Sequence, residues 1–200
     1  MIYFLASDRA AWITGATVSI DGGRALRLAR WGFKPPWMRE SKLAPINARA
    51  ETLLTGQMFR EAARRARCLV PADGFYEWQA VPGQKRKQPY YVKLRGSGLF
   101  AFAGLWSPKH PETAAPPTCT IITTRANQLV APLHNRMPAI LDPSDEARWL
   151  DPGLTGPAAL SACLRPFPAE RMEAYPVSAL VSSPRNDGSE LIEPATEART

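Results

Sequence analysis

Residues 69–78 have the sequence Leu-Val-Pro-Ala-Asp-Gly-Phe-Tyr-Glu-Trp and predict two short strands, the second over residues 75–78. In that strand the alternation of side chains puts Phe75 and Glu77 on one face and the two other aromatic residues on the opposite face. A carboxylate that faces inward beside Phe75 is poorly solvated, which raises its pKa and makes it a better proton donor or acceptor near neutrality. Taken alone, the segment favours an edge strand whose Glu77 faces solvent.

The flanking segments predict many short strands with few helices between them. Twenty prolines are spread along the chain, so long helices are not expected and loops should be numerous. The clearest helix covers residues 57–67, where one phenylalanine and three alanines share a face. A second, short helix to residue 150 begins at Asp142-Pro143, with Asp as N-cap and Pro in the first helical position. Further strands are predicted over residues 90–94, 99–105, 119–124, 137–141 and 172–178.

These elements predict an α+β fold class, namely a compact, mainly β fold with a few short helices. Two hundred residues suit one domain, with or without an appendage. Residues 1–26 differ from the rest, because Trp, Pro and Arg become frequent from residue 29 onwards. In that segment we expect the end of a helix at residues 3–8, a turn at 12–15, a strand at 16–20 and a stop at 21–23. The polar residues 195–200 should be frayed.

The composition favours a cytoplasmic protein with an anionic partner. The formal net charge is +7, which suits a polyanion such as nucleic acid, although such a charge can also serve solubility alone. Cys68, Cys119 and Cys163 form no CxxC motif and no Cys/His cluster, so we expect no metal site, and unpaired cysteines fit a reducing compartment. The sequence shows no signal-like start and no apolar run of membrane-spanning length.

Asn47, Glu77 and His134 form a chemically coherent set. An amide, a carboxylate and an imidazole together can perform acid/base chemistry on a carbonyl or a sugar. His134 is one of two histidines in the chain, and it lies between Pro132 and Pro138 in a loop-like segment. A structural histidine bonded to the backbone is an equally good interpretation of that position. A nucleophile should complete the set, and the sequence supplies no obvious one.

Two arginines accompany this set. Arg136 follows His134 by two residues, so a rigid loop could present an acid/base group and a phosphate clamp together. If the segment around Asn47 is extended, Asn47, Arg49 and Glu51 point to the same face. Asn47 could then hold a sugar hydroxyl or a carbonyl oxygen. Arg49 could bind a phosphate or simply pair with Glu51.

Aromatic and cationic residues alternate around these segments. The aromatic residues are Trp31, Trp37, Tyr76 and Trp78, and the cations are Arg30, Lys34, Arg39 and Lys42. Aromatic platforms along a cationic track suit single-stranded nucleic acid, because bases stack and phosphates pair. The alternative is core packing, since Trp is usually well buried. We assign Arg64, Arg65, Arg67 and the run at residues 85–87 to solvated faces.

At these residues the chain resembles the SOS-response-associated peptidase (SRAP) family, which includes the bacterial and human abasic-site processing proteins. The resemblance covers roughly residues 28–194 and rests on several motifs that occur in the family's order. These are Arg30-Trp31-Gly32 with Pro36-Trp37, residues 46–52, residues 68–78, Thr123-Thr124 with residues 132–141, and Asn186-Asp187-Gly188.

The resemblance implies a compact mixed β fold that binds single-stranded DNA and captures abasic sites as a covalent thiazolidine link, together with a related peptidase activity. It implies that Asn47 positions the sugar and that Glu77 and His134 act as the acid/base pair. It places near DNA the residues Arg30, Trp37, Arg49, Trp78, Thr123 and Arg136. The implied partner is single-stranded DNA with abasic sites. We expect no cofactor, no membrane partner and a monomer, associated with the nucleoid when bound to DNA.

The chain departs from the family at its start. The family begins Met-Cys-Gly-Arg and uses the amine and thiol of that N-terminal cysteine, whereas this sequence begins Met-Ile-Tyr-Phe and has no cysteine before Cys68. Residues 3–23 instead resemble the C-terminal tail of short-chain dehydrogenases. We therefore expect residues 1–27 to be a foreign segment that replaces the family's first strands, ahead of a domain at 28–194. The covalent step should be lost, and the alternative function is non-covalent binding of single-stranded or abasic DNA.

Overall fold

The structure is a computed structural model that describes residues 4–5, 16–20, 25–38, 43–96, 98–108 and 116–195. Within these residues the strands are β1 (Phe4–Leu5), β2 (Ala16–Ile20), β3 (Ala25–Trp31), β4 (Asn47–Arg49), β5 (Arg67–Ala72), β6 (Phe75–Gln79), β7 (Gln88–Leu94), β8 (Phe100–Ser107), β9 (Thr118–Arg125), β10 (Arg136–Pro138) and β11 (Met172–Pro176). The helices are α1 (Arg60–Arg65), α2 (Pro143–Leu150) and α3 (Pro157–Cys163), and short 3₁₀ turns cover Ala50–Thr52, Ala169–Arg171, Ala179–Ser182 and Ser189–Ile192. The predicted α+β class is confirmed.

The strands form two sheets. The smaller sheet has the order β1-β6-β7-β11, and the larger has the order β10-β9-β3-β2-β5-β8 with β4 added on β9. Because β8 also pairs with β9, the pairing returns to its starting strand and closes a ring of β9, β3, β2, β5 and β8. Closure leaves few free sheet edges in this part of the molecule.

Three apolar layers follow from the alternation of side chains in these strands. Phe102 and Ile121 lie in the layer between the two sheets, together with Phe75 and Met172 from the smaller sheet. The opposite face of the larger sheet packs against the helices through residues such as Leu105, Ile122, Trp149 and Leu160. The opposite face of the smaller sheet is covered by the segment after β11, where Tyr76 and Tyr91 pack on Val177, Val181 and Leu191.

Residues 69–78 connect the two sheets. β5 pairs with β8 in the larger sheet and β6 pairs with β7 in the smaller one, so the chain changes sheet between Ala72 and Phe75. At this crossing a Cβ on Gly74 would lie 2.2 Å from Cζ of Tyr91, so only glycine fits while that ring keeps its place. Phe75 then faces the layer between the sheets and Tyr76 faces the opposite side, as the alternation predicted.

Several predicted boundaries are corrected by the structure. The helix predicted over residues 57–67 is only α1, because Arg67 already pairs with Leu105 as the first residue of β5. The strand predicted over 137–141 is split: after β10, Ile140 forms a separate bridge with Phe102 as the chain passes from β9 to β8. α3 was not predicted. The predicted cap of α2 is confirmed, since the Asp142 side chain accepts a hydrogen bond from the Ser144 N–H.

The N-terminal segment enters both sheets. Phe4 and Leu5 were expected at the end of a helix, but they form a strand parallel to β6, in register with Phe75 and Tyr76. The strand predicted at residues 16–20 is confirmed as β2, which pairs with β3. The predicted turn at 12–15 and the predicted stop at 21–23 lie outside the described residues. The predicted domain boundary after residue 27 falls inside β3, and the foreign origin of the segment stays a prediction.

The helices of the described residues are short, and none of them is long and apolar enough to cross a membrane. Arg67 is the exception to the prediction that the arginines of this region are solvated, because it is only 6% exposed. Its guanidinium donates to the Trp149 carbonyl through Nε at 2.6 Å and to the Ala63 carbonyl through Nη1 at 2.7 Å, and it also bonds the carbonyls of Arg64 and Asp151. These acceptors include the C-terminal ends of α1 and α2, so one side chain caps both helices.

The substitution Arg67→Lys should destabilise the protein by about 3 kcal/mol, because an ammonium group lacks the planar fork and leaves buried carbonyls without donors. Equilibrium denaturant unfolding at neutral pH measures the change. The exposed neighbour Arg65→Lys is the control and should change the free energy of unfolding by less than about 0.5 kcal/mol. Equal effects of the two substitutions would contradict the capping role.

Candidate active site

A cavity of about 200 Å³ opens where the two sheets meet. Its lining residues are Asn47, Arg49, Glu77, Thr123, His134, Arg136, Met137 and Pro138. The structure therefore brings together all three residues predicted to be catalytic and three of the six predicted to contact DNA. The other three, Arg30, Trp37 and Trp78, do not line this cavity.

Strand β9 positions one wall of the cavity. β4 runs parallel to it with Asn47 beside Ile121 and Arg49 beside Thr123. β10 runs antiparallel to it with Pro138 beside Thr123. Thr123 thus lies between β4 and β10, and side chains from three neighbouring strands reach the same space.

Glu77 enters the cavity from the smaller sheet and is 6% exposed. The interpretation that its segment alone favoured, an exposed edge-strand glutamate, is therefore wrong, because Phe75 and Glu77 both face inward between the sheets. Burial raises the pKa of Glu77 to about 8, against the smaller opposing effects of a backbone hydrogen bond from Trp78 and the charge of Lys87. The carboxyl consequently holds its proton at neutral pH and can act as an acid.

His134 is the nearest titratable neighbour of that carboxyl. Its Nδ1 lies 3.9 Å from Oε1 of Glu77, and its side chain is about half exposed. The same nitrogen lies 3.0 Å from the carbonyl oxygen of Arg136 and 3.2 Å from the Arg136 backbone nitrogen. Nδ1 can donate to that carbonyl or accept from that N–H, depending on the tautomer, and in a neutral imidazole one of the two ring nitrogens is always unprotonated. A protonated Glu77 beside an imidazole gives the cavity one acid and one base.

Asn47 contributes a carbonyl oxygen without an internal partner. Its Oδ1 is buried and accepts no hydrogen bond from any residue in the described part of the chain. A buried amide oxygen in that state costs free energy unless a donor reaches it. A hydroxyl group in the cavity would satisfy it, which fits the expectation that Asn47 holds a sugar.

The two arginines of the cavity differ in their surroundings. Arg136 forms a bidentate pair with Glu51, at 2.7 Å and 3.0 Å, and also donates to the Thr123 carbonyl and hydroxyl oxygens. Glu51 therefore pairs with Arg136 and not with Arg49, and it lies in a 3₁₀ turn instead of an extended segment. Arg49 is exposed and makes no ion pair with any other described residue. Of the two guanidinium groups, that of Arg49 has more donors available for an anion.

Asn127 is a site residue that sequence reasoning missed. Its Oδ1 accepts hydrogen bonds from the backbone of Leu129 and Val130, and its Nδ2 donates to the Phe167 carbonyl at 2.7 Å. The Val130 carbonyl in turn accepts from the backbone N–H of His134. Asn127 thereby fixes the turn that presents His134. An asparagine two residues after a strand, able to accept from the N–H groups two and three residues ahead, was the signal in the sequence.

Among the other predicted aromatic and cationic residues, Lys34 is exposed, and Arg39 and Lys42 lie outside the described residues. Trp31 and Tyr76 are buried in apolar layers, so the packing interpretation holds for them. Trp78 packs on the outer face of the smaller sheet and donates from Nε1 to Ser182 Oγ. Trp37 is 57% exposed, and Arg30 is exposed on β3. Contacts of Arg30, Trp37 and Trp78 with DNA stay a prediction.

None of the three cysteines lines the cavity. Cys68, Cys119 and Cys163 are all buried and free. Burial raises the pKa of each thiol, to about 12 for Cys119, so none is a reactive thiolate at neutral pH. Within the described ranges, no three His, Cys, Asp or Glu side chains form a group that could hold a metal ion.

The two-sheet fold with this acid/base cavity defines a recognisable class. A family model for the SOS response associated peptidase (SRAP) matches residues 6–184. The chain therefore belongs to the SRAP family, as the sequence motifs indicated. The match also includes most of the segment before residue 28, which lies outside the range covered by the motifs.

Similar proteins agree with this assignment. The abasic site processing protein YoqW of Bacillus subtilis is 47% identical over 181 residues, which cover 88% of this chain and 80% of the relative. The abasic site processing protein HMCES of Gallus gallus is 35% identical over 199 residues, covering 86% of this chain and 58% of the relative. A solved structure from Bacteroides thetaiotaomicron has a TM-score of 0.75 and 31% identity, covering 86% of this chain and 77% of that one.

The buried carboxyl of Glu77 should make stability depend on pH. Its pKa rises from an ordinary 4.5 to about 8 on folding, so its stabilising contribution is complete below about pH 4.5 and is lost as pH rises to about 8. Over that window the free energy of unfolding should fall by up to about 1.4 kcal/mol per pH unit from this group alone.

The substitution Glu77→Gln should remove that slope, because an amide does not ionise. Denaturant unfolding of both proteins at pH 5, 6, 7 and 8 measures it, and the variant should gain stability relative to the wild type at each step. Parallel pH profiles would mean that Glu77 is already ionised in the folded protein, contrary to its burial.

Proposed function

We propose that this protein binds single-stranded DNA at abasic sites and holds the abasic sugar in the cavity formed by Asn47, Glu77 and His134. The observation that carries the proposal is the meeting, in one cavity, of a protonated carboxyl, an imidazole and an amide oxygen without a partner. Abasic site processing is the function named for the relatives YoqW and HMCES. A sugar that lacks its base fits a space of about 200 Å³ more readily than a complete nucleotide does.

The acid and the base suit opening of the sugar ring. In the closed form the C1′ hydroxyl loses its proton to His134 while the C1′–O4′ bond breaks. O4′ takes the proton of Glu77, which leaves a C1′ aldehyde and a C4′ hydroxyl group, with no atoms gained or lost. The resulting charges on Glu77 and His134 are opposite and lie close together, at a separation of 3.9 Å between Oε1 and Nδ1, so they stabilise each other. Asn47 then holds a hydroxyl of the sugar through its Oδ1.

Anionic DNA is held by the cations at the rim. Arg49 faces the cavity without an ion pair to the other described residues and would bind a phosphate next to the sugar. Arg136 has its outer nitrogens engaged by Glu51 and Thr123, so its role is chiefly to hold the wall while adding positive potential. We propose further that the protein acts as a monomer on DNA in the cytoplasm, within a DNA damage response.

We propose further that this chain lacks the covalent step of the family. A thiazolidine link needs a thiol and a free α-amine together, and the three cysteines are buried away from the cavity with raised pKa values. The aldehyde formed in the cavity therefore stays uncaptured and can close again. The protein would shield an abasic site without forming a bond to it, and the peptidase reaction would lack its nucleophile in the same way.

Two measurements on one oligonucleotide test this proposal. A single-stranded DNA with one abasic site, and the same strand with uracil left in place, are compared by fluorescence anisotropy and on a denaturing gel. We expect tighter, salt-dependent binding of the abasic strand and no protein–DNA band that survives denaturation. The substitution Asn47→Ala should reduce the preference for the abasic strand.

Each part of the proposal can fail separately. A band that survives denaturation would show that the covalent step is retained. Equal affinity for the two strands would contradict recognition of the abasic sugar. Binding of neither strand would contradict the proposed function as a whole.

A further inference from the structure

We propose that the loop joining β6 to β7, residues 80–87, is a second phosphate-binding element, which holds the DNA strand on one side of the abasic sugar. The inference rests on the proposed function and extends it to a surface outside the cavity. Its cationic residues are Lys85, Arg86 and Lys87, which the sequence assigned to a solvated face without a role.

The position of the loop is fixed relative to the catalytic carboxyl. Gln79 and Gln88 are the last paired residues of the hairpin that carries Glu77. Gln79 lies two residues, about 7 Å, along the strand from Glu77, and the loop begins at the next residue. The charge of Lys87 is near enough to lower the pKa of Glu77 against the larger effect of burial. The base of the loop, at Lys87, thus lies near Glu77, while none of the loop residues lines the cavity itself.

A direct contact ties the loop to the segment that carries His134. Nε2 of Gln79 donates to the Pro132 carbonyl oxygen at 3.3 Å. Pro132 belongs to the turn that Asn127 fixes and that ends at His134. The base of the loop and the imidazole are therefore held in a fixed spatial relation.

The three cations are exposed and available. Lys85, Arg86 and Lys87 are exposed, and none of them forms an ion pair with another residue of the described ranges. Three adjacent like charges without acidic partners repel one another, and a polyanion removes that cost. A single strand whose abasic sugar occupies the cavity carries phosphates in both directions from that sugar. Arg49 lies on the wall formed by the larger sheet and the loop on the hairpin of the smaller sheet, so each can serve one direction.

The test compares two triple variants that change the net charge equally. One is Lys85→Gln, Arg86→Gln, Lys87→Gln in the loop. The control is Arg60→Gln, Arg64→Gln, Arg65→Gln on α1, none of which lines the cavity. Anisotropy at several salt concentrations gives the slope of log K against log salt for a strand with a central tetrahydrofuran abasic analogue. Circular dichroism melts establish that both variants are folded.

Loss of three phosphate contacts should reduce the magnitude of the slope by about 2, because each contact to single-stranded DNA contributes about 0.7. The control should change the slope by less than half as much. With oligonucleotides that extend only 5′ or only 3′ from the analogue, the loop variant should lose affinity for one of the two and keep it for the other.

Equal slopes for the two triple variants, with wild-type binding intact, would overturn the role of the loop and leave the proposed function standing. An equal loss with the 5′ and 3′ oligonucleotides would likewise contradict a contact on one side of the sugar. Absence of any wild-type binding would overturn the loop and the proposed function together.

Discussion

The structure depends on the pairing of strand β9 with four other strands. It pairs with β8 and β3, which closes the ring of the larger sheet, and farther along it pairs with β4 and β10. All its residues except Arg125 are buried. One strand therefore both completes the barrel-like ring and aligns Asn47, Thr123 and Arg136 along one wall. A shift of one residue in its register would turn Thr123 to the opposite face of the sheet, away from Asn47 and Arg136.

The second sheet adds the group that gives the cavity its chemistry. Glu77 is held between the sheets by the same alternation that buries Phe75 in the core. The fold must tolerate a poorly solvated carboxyl, and it does so by keeping the group protonated near neutral pH. Local stability is thus reduced in exchange for a proton donor, which is a common arrangement in active sites. Glu51 is in the opposite state. Its hydrogen bond with Arg136 lowers the pKa of the Glu51 carboxyl, and the resulting ion pair stabilises the wall of the cavity.

Much of this arrangement could be predicted from local sequence patterns, and the rest depends on contacts between distant residues. The alternation in residues 75–78 predicted the two faces of β6, and Asp142-Pro143 predicted the start of α2. The burial of Glu77 could not be decided locally, because it depends on the larger sheet lying opposite. The pairing of Arg136 with Glu51 links residues 85 positions apart, and Arg67 reaches Trp149 across 82 positions. The resemblance to a family supplied the convergence of Asn47, Glu77 and His134 that spacing alone left open.

Occupation of the cavity beside His134 by an abasic sugar can be followed by NMR of the imidazole C–H groups, because the chain has only two histidines and His134→Gln assigns their signals. At saturating DNA, a strand with a central tetrahydrofuran analogue should shift the His134 signal clearly, while an intact strand at the same saturation should leave it nearly unchanged. An equal shift with both strands, or no shift with either, would contradict occupation of the cavity by the abasic sugar.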